Sequence, residues 1–190
     1  SSLASITIPS SVTSIGESAF DHCTSLTSVT IPSSVRSIGN SAFGFCDELT
    51  SVSISSGVES IGNHVFSDCT SLKSVTIPSS VTSIEDNPFF NCSALETITV
   101  DEENSTYDSR DGCNAIIKTD SKILIAGCMN TVIPNGVESI GEDAFYGCFD
   151  LMSITIPSSV TSIGEEAFYG CFNLNSITMP SSVTSIGNNA

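Results

Sequence analysis

The stretch LTSVTIPSSVRSIGNSAFGFC, at 26–46, decides the fold because near-copies of it precede and follow it. The leucines that open the copies are separated by 23, 23, 23, 23, 56 and 23 residues, and 56 is 23 plus 33. These leucines are Leu3, Leu26, Leu49, Leu72, Leu95, Leu151 and Leu174. Stacked repeats bury apolar edges that a single unit would leave exposed. The sequence therefore predicts one solenoid over residues 1–190, with about seven 23-residue units and an insertion at 101–132.

Each unit follows the pattern L-x-x-[IV]-x-[IV]-P-S-S-V-x-S-I-G-x-x-A-F-x-x-C. The spacing of Leu26, Val29 and Ile31 predicts a short strand with one buried face. We expect the following proline to end that strand, since it cannot donate to a ladder, and Gly39 to permit a turn. Residues 40–46, N-S-A-F-G-F-C, suit one tight helical turn.

The pattern resembles a known repeat class. L-x-x-[IV]-x-[IV] matches the strand of leucine-rich repeats, and I-P-x-x-V-x-x-I-G-x-x-A-F resembles the BspA-like subclass of bacterial and protist surface proteins. The resemblance implies a curved solenoid, with short strands on the concave face and turns or short helical turns on the convex face. It also implies an extracellular or cell-surface location. Ser55, Glu85 and Asn87-Pro88 depart from the pattern.

The composition excludes several partners. With 21 acidic and 5 basic residues, the net charge of −16 disfavours nucleic acid and anionic membranes. No apolar run approaches the roughly 18 residues of a membrane span. The sequence has no initiator methionine, and its last repeat stops at Ala190, so we expect a segment of a longer protein whose targeting signals are not visible.

Six of the eight cysteines share one repeat position: Cys23, Cys46, Cys69, Cys92, Cys148 and Cys171. Equivalent residues on stacked strands lie about 4.8 Å apart, whereas a disulfide needs Cβ atoms about 3.8 Å apart. We therefore predict free, buried thiols that each fill one apolar slot per unit. Zinc has no support, because there is no CxxC motif and only His22 and His64 are present. No cofactor is predicted.

The insertion contains two apolar runs around Asp120-Ser121, which predicts a β-hairpin. Its expected register pairs Ile117 with Leu124, Ala115 with Ala126 and Cys113 with Cys128; whether the two cysteines are bonded stays open. An acidic stretch precedes the hairpin: Asp101, Glu102, Glu103, Asn104, Asp108 and Asp111. Such oxygen clusters suit calcium, but the EF-hand pattern is absent. A solvated acidic loop is the favoured interpretation.

Two surfaces are candidates for binding. On each strand the third and fifth positions should face solvent, giving two ranks of hydroxyl groups. The fifth positions are Thr7, Thr30, Ser53, Thr76, Thr99, Thr155 and Thr178. This pattern also reflects ordinary β-propensity. On the turn side, A-F-Y-G-C-F occurs in two adjacent units and predicts a four-ring patch of Tyr146, Phe149, Tyr169 and Phe172. Exposed apolar patches mark interaction sites, although sequence outside this chain could cover these rings.

No catalytic constellation is visible, because the two histidines occupy different repeat positions and no phosphate-binding loop is present. We expect a non-enzymatic module that binds a host or neighbouring-cell protein or glycan. The alternative is a structural spacer that displays another domain.

Overall fold

The computed structural model describes residues 2–190 and is a β-solenoid of about eight turns with almost no helix. The predicted leucine-rich repeat solenoid is confirmed. A regular turn consists of a long strand, a two-residue strand and a tight turn segment that returns to the next leucine. Within the described residues the one helical element is a 3-10 turn at Arg110–Gly112, inside the insertion.

The long strands form two separate parallel sheets, one of four strands before the insertion and one of two strands after it. Their register pairs identical repeat positions, for example Ser28 with Ser51 and Thr30 with Ser53. Alternate residues are buried, as the pattern predicts. The strands are β2 (Ser28–Ile31), β4 (Ser51–Ile54), β6 (Ser74–Ile77), β8 (Thr97–Val100), β13 (Ser153–Thr155) and β15 (Ser176–Thr178).

The two-residue strands form a second wall after the proline position of each unit, a position that Ser55 occupies in the unit containing β5. They are β1 (Ser14–Ile15), β3 (Ser37–Ile38), β5 (Ser60–Ile61), β7 (Ser83–Ile84), β12 (Ser139–Ile140), β14 (Ser162–Ile163) and β16 (Ser185–Ile186). The insertion adds β9 (Tyr107–Asp108), β10 (Ala115–Lys118) and β11 (Ile123–Gly127) to this wall. The wall therefore consists of one sheet with order β1-β3-β5-β7 and another with order β16-β14-β12-β11-β10-β9.

The turn segments are turns and not the expected helical turn. The residue before the core alanine and the second residue after the core phenylalanine both adopt positive φ, as Ser41 (50°) and Phe45 (53°) illustrate. Left-handed residues at this spacing prevent a helix. The backbone instead bonds to the next turn: the N–H groups of Ser41, Phe43 and Phe45 donate to the following unit. These bonds make the turn segments a third hydrogen-bonded wall.

Gly39 has a different role from the one its position suggests. Its φ is not in the left-handed region, but an added Cβ would lie 2.6 Å from the backbone nitrogen of Glu17 in the preceding turn. The position requires glycine because successive turns approach closely there.

The structure has about eight turns where the leucine spacing predicts seven. The additional turn begins at Cys128, which lies 23 residues before Leu151 and occupies the leucine position. Thr131 replaces the strand valine and is buried. Its hydroxyl donates to the carbonyl of Asn114 (2.6 Å) and accepts from the N–H of Cys128 (2.8 Å). The buried side chain of Thr131 therefore has hydrogen-bond partners in the core. Because the additional turn accounts for 23 of the 33 extra residues, the unit that begins at Leu95 is only 10 residues longer than a regular unit.

The hairpin forms around Asp120-Ser121 with part of the predicted register. Ile117 pairs with Leu124 as expected, but Ala115 pairs with Gly127 because a bulge shifts the strands beyond Ile117. The predicted pairing of Ala115 with Ala126 is wrong for this reason.

The core divides at the hairpin into two apolar clusters. Ile116, Ala126 and Cys128 pack with the units before the insertion, whereas Cys113 and Leu124 pack with the units after it. Cys113 and Cys128 therefore belong to different clusters, and both are free. The leucine column is buried from Leu26 to Leu151 and half-buried in the terminal turns.

All eight cysteines are buried free thiols. Four of the six in the repeat position, Cys46, Cys69, Cys92 and Cys171, also donate a weak hydrogen bond to the carbonyl of the core phenylalanine in the preceding turn. Cys69 Sγ lies 3.2 Å from the carbonyl oxygen of Phe43, and Cys92 Sγ lies 3.0 Å from that of Phe66. The slot therefore selects a small apolar group that can also donate a hydrogen bond.

Candidate functional site

The hydroxyl ranks lie where the sequence predicts them, on the exposed face of the long strands. All seven fifth-position residues are exposed: Thr7, Thr30, Ser53, Thr76, Thr99, Thr155 and Thr178. The ranks are interrupted in the additional turn, where Val132 occupies the fifth position. The hydroxyl surface therefore has two parts that coincide with the two long-strand sheets.

The opposite surface, built from the turn segments, carries the aromatic candidates. The core phenylalanines stack in the interior, for example Phe43 on Phe66 at 5.6 Å between ring centroids and Phe145 on Phe168 at 5.0 Å. In three consecutive turn segments the residue after the core phenylalanine is itself aromatic and lies outside this stack. Its ring therefore aligns with the equivalent ring of the next turn.

The insertion does not separate the turn segments on its two sides. The N–H of Asn91 donates to the carbonyl of Tyr146 at 3.2 Å, and the buried side chain of Asn87 donates to the carbonyl of Asp143 at 2.8 Å. Residues 87–92 consequently stack directly on residues 143–148. On the core side of this wall the N–H of Gly127, at the end of the hairpin, donates to the carbonyl of Ala144 at 2.8 Å, and the N–H of Phe89 donates instead to the side chain of Asn87. The outer part of the wall, which contains Asn91 and Tyr146, is continuous across the insertion.

This stacking forms one column of four rings, which we name the aromatic ridge: His64, Phe90, Tyr146 and Tyr169. The centroid distances along the column are 4.6, 3.7 and 5.1 Å. Sequence reasoning identified the two tyrosines and missed the other two rings. Phe90 could have been found, because it follows a core phenylalanine as Tyr146 and Tyr169 do.

Phe149 and Phe172 form a separate stacked pair on the same turns, with centroids 5.4 Å apart. Exposure rises along the chain: Tyr146 and Phe149 are half-buried, whereas Tyr169 is 48% exposed and Phe172 is 82% exposed. The four predicted rings thus form two parallel stacks, Tyr146–Tyr169 and Phe149–Phe172.

Acidic groups surround the ridge. Asp143 Oδ2 lies 3.8 Å from His64 Nε2. Burial, together with the nearby carboxylates of Glu142 and Glu166, raises the pKa of Asp143 to about 6. Burial also lowers the pKa of His64, although neighbouring carboxylates oppose that change. At neutral pH the histidine is uncharged, and the ridge is an aromatic strip in an acidic field.

Hydrogen bonds within the acidic stretch and to the preceding turn fix the conformation of this stretch before the hairpin. Asn104 Nδ2 donates to the carbonyls of Pro78 (2.9 Å) and Val81 (3.0 Å). Asp108 binds the Arg110 guanidinium, and the Asp101 carboxylate accepts from the N–H of Glu103. Among residues 2–190 no group of three histidine, cysteine or acidic side chains is placed to hold a metal ion.

Over the same described range, no helix has the length and apolar character needed to cross a membrane.

Comparison with known proteins identifies the repeat. The profile of the "BspA type Leucine rich repeat region" matches in six copies, over residues 1–111 and 126–190. Among the curated proteins none matches the chain.

Three solved structures are similar over nearly the whole chain. A leucine-rich repeat protein from Eubacterium ventriosum has 30% identity and a TM-score of 0.70, with 97% of this chain and 56% of that one covered. A leucine rich cell surface protein from Faecalibacterium prausnitzii has 31% identity and a TM-score of 0.63, with 95% and 62% covered. The pneumococcal vaccine antigen PcpA shares the fold, with 23% identity, a TM-score of 0.82 and 97% and 58% covered. This chain therefore spans about 56 to 62% of the length of these proteins.

Proposed function

The chain belongs to the BspA-type leucine-rich repeat family, and from this premise we propose that it is a cell-surface or secreted module that binds a host or neighbouring-cell protein or glycan without catalysis. The similarity to a cell surface protein from Faecalibacterium prausnitzii supports the location. The single observation that carries the proposal is the aromatic surface formed by the ridge and the Phe149–Phe172 pair, in which Tyr169 and Phe172 are exposed and the other rings are half-buried.

The aromatic surface suits macromolecular binding on energetic grounds. Aromatic residues dominate binding energies, whereas serine and threonine are under-represented among the residues that do so. Tyr169 and Phe172 are exposed and are held in stacks that fix their rings before binding. Preorganised rings lose little conformational entropy on association. We therefore assign affinity to the aromatic surface and a polar or glycan contact to the hydroxyl ranks.

The test compares the wild type with a variant that carries Tyr146→Ser, Phe149→Ser, Tyr169→Ser and Phe172→Ser. Binding to extracellular-matrix proteins and to intact cells is measured after circular dichroism has established that the variant is folded. The proposal predicts that the wild type binds at least one target and that the variant loses most of that binding. A matched control variant, with Thr30→Ala, Thr76→Ala, Thr99→Ala and Thr155→Ala, should keep affinity for protein targets.

Two results would contradict the proposal in different ways. Equal binding by the wild type and the folded aromatic variant would exclude the aromatic surface as the site. Failure of the wild type to bind any target would favour the structural spacer.

A further inference from the structure

The sheet of long strands is interrupted between β8 and β13. Strand β13 pairs only with β15, and β8 is the last strand of the preceding sheet. Between them lies the additional turn, whose residues 128–134 form no strand. This segment is held by other contacts, since the N–H of Val132 donates to the carbonyl of Cys113 at 3.1 Å. One edge of β13 is therefore left without a neighbouring strand inside the solenoid.

The backbone of β13 directs hydrogen-bonding groups toward this gap. The N–H of Ile156 donates to the carbonyl of Thr178, so Ile154 and Ile156 face β15. In a parallel ladder the alternate residues face the opposite way. The backbone groups of Ser153 and Thr155 consequently point at the gap, and no hydrogen bond within residues 2–190 joins them to the 128–134 segment.

The gap has room and apolar walls. Two cavities, of about 430 and 490 Å³, extend along the edge and meet at Ser153. Val132 is 71% exposed and Met152 is 65% exposed beside them, and Met129 lines the second cavity. Elsewhere this face presents mainly hydroxyl groups. Large exposed apolar side chains therefore coincide with the unpaired edge.

We propose that the edge of β13 binds an extended peptide segment of a partner protein as an added strand. A peptide backbone alternates donors and acceptors at strand spacing, as the Ser153 and Thr155 backbone requires. An apolar side chain of the peptide would cover Val132 and Met152. A lysine or arginine would lie toward Asp150, because no basic residue lines the two cavities and the chain carries a net charge of −16.

The Asp150 carboxylate can still accept a contact from a basic side chain of the peptide. One oxygen of Asp150 accepts from the side-chain amide of Asn173 at 3.1 Å, and the carboxylate is exposed. The proposal does not rest on the aromatic surface, which is built from the turn segments and not from the long strands.

The experiment uses the whole chain and the synthetic peptide Lys-Val-Thr-Val-Thr-Val-Lys as the probe. Amide NMR spectra are recorded during titration, and hydrogen exchange is measured in the bound state. The proposal predicts shifts centred on Ser153 and Thr155, together with slower exchange of those two amides. The same peptide methylated on every valine and threonine nitrogen should not bind, because it lacks the donors.

Two double variants at exposed positions test the apolar contact, one as the test and the other as its matched control. Val132→Thr with Met152→Thr, which restores residues found in regular units, should weaken binding roughly fivefold through lost apolar contact. Thr30→Val with Thr50→Met places the same apolar pair at the equivalent positions of two units whose strands, β2 and β4, are paired with each other, and should create no second site. The aromatic Ser variant should bind the peptide as the wild type does, so this test is independent of the proposed function.

Several results would overturn the proposal. One is amide shifts confined to β15 at the end of the solenoid, and another is the absence of any shift at millimolar peptide. The others are binding of the methylated peptide as tightly as the unmethylated one, and binding of the peptide at the Met-Val pair of the control variant.

Discussion

The backbone N–H of Asn91 donates to the carbonyl oxygen of Tyr146 at 3.2 Å, although the whole inserted segment separates the two residues in sequence. The hydrogen bond joins turn segments that would be adjacent in an uninterrupted array. The insertion therefore adds a turn to the strand walls while the aromatic ridge runs past it. This arrangement lets one surface vary without breaking the other.

The additional turn depends on Thr131, and replacing that residue should be costly. Thr131→Val restores the residue type of the regular units but leaves the N–H of Cys128 unpaired and leaves the carbonyl of Asn114 with only the weak Cys128 thiol donor at 3.5 Å. We expect a loss of about 1–3 kcal/mol in the free energy of unfolding, measured by urea denaturation. Thr155→Val, on an exposed strand position, should change it by less than about 0.5 kcal/mol. Equal effects of the two substitutions would contradict the assigned hydrogen bonds.

This turn also shows where sequence reasoning stops. Positions such as Leu26, Val29 and Phe43 were predictable because a stack buries the same positions in every unit. The additional turn was missed because Cys128 and Thr131 replace the leucine and valine by which a unit is recognised. Thr131 is compatible with burial only through contacts to Asn114 and Cys128, and these contacts are tertiary.

The conformation of the turn segments was also not predictable from the sequence. The adjacency of Ala42 and Phe43 resembles a helical turn, but the flanking Ser41 and Phe45 adopt positive φ. Serine and phenylalanine do not by themselves predict a positive φ. Hydrogen bonds to the next turn stabilise this conformation here. In the candidate site, the Tyr146 and Tyr169 stack followed from their repeat position. The contact between His64 and Phe90 joins two different repeat positions and could not be read from the period.

The thiols should be inert in the folded protein and fully reactive once it unfolds. All eight are buried, so the reagent cannot reach them in the folded protein. Burial also raises the pKa of Cys171 and of Cys113 to about 11, so these two hold little thiolate at neutral pH. The hydrogen bond with Cys69 lowers the pKa of Cys46, whose protection therefore rests on burial alone. Alkylation in denaturant without reductant should add eight groups by intact mass, and alkylation under native conditions should add almost none. An adduct count lower by two would reveal a disulfide.

Asp143 should make stability depend on pH. Its folded pKa is about 6 against an ordinary value of 3.8, so the folded state holds a proton that the unfolded chain has released between those values. Stability therefore falls as pH rises from about 4 to 6, and the cost persists above 6. Asp143→Asn removes this cost and should stabilise the protein by about 2 kcal/mol at pH 7, with no gain near pH 3.5.

The matched control for this substitution is Glu166→Gln, at the equivalent repeat position of the next turn, and it should produce a much smaller change. A gain for Asp143→Asn that stayed constant between pH 3.5 and 7 would show that the effect does not arise from titration of this carboxyl group.

The most direct test of the central claim, a turn surface continuous across the insertion, is a double-mutant cycle on Phe90 and Tyr146. Their ring centroids lie 3.7 Å apart. The free energy of unfolding is measured for the wild type, Phe90→Ala, Tyr146→Ala and the double variant. We expect a coupling energy of about 0.5–1.5 kcal/mol, as for stacked aromatic pairs. The cycle on Phe90 and Tyr169, two turns apart, should give less than about 0.5 kcal/mol. A coupling energy between Phe90 and Tyr146 as small as that of the control pair would contradict the continuous ridge.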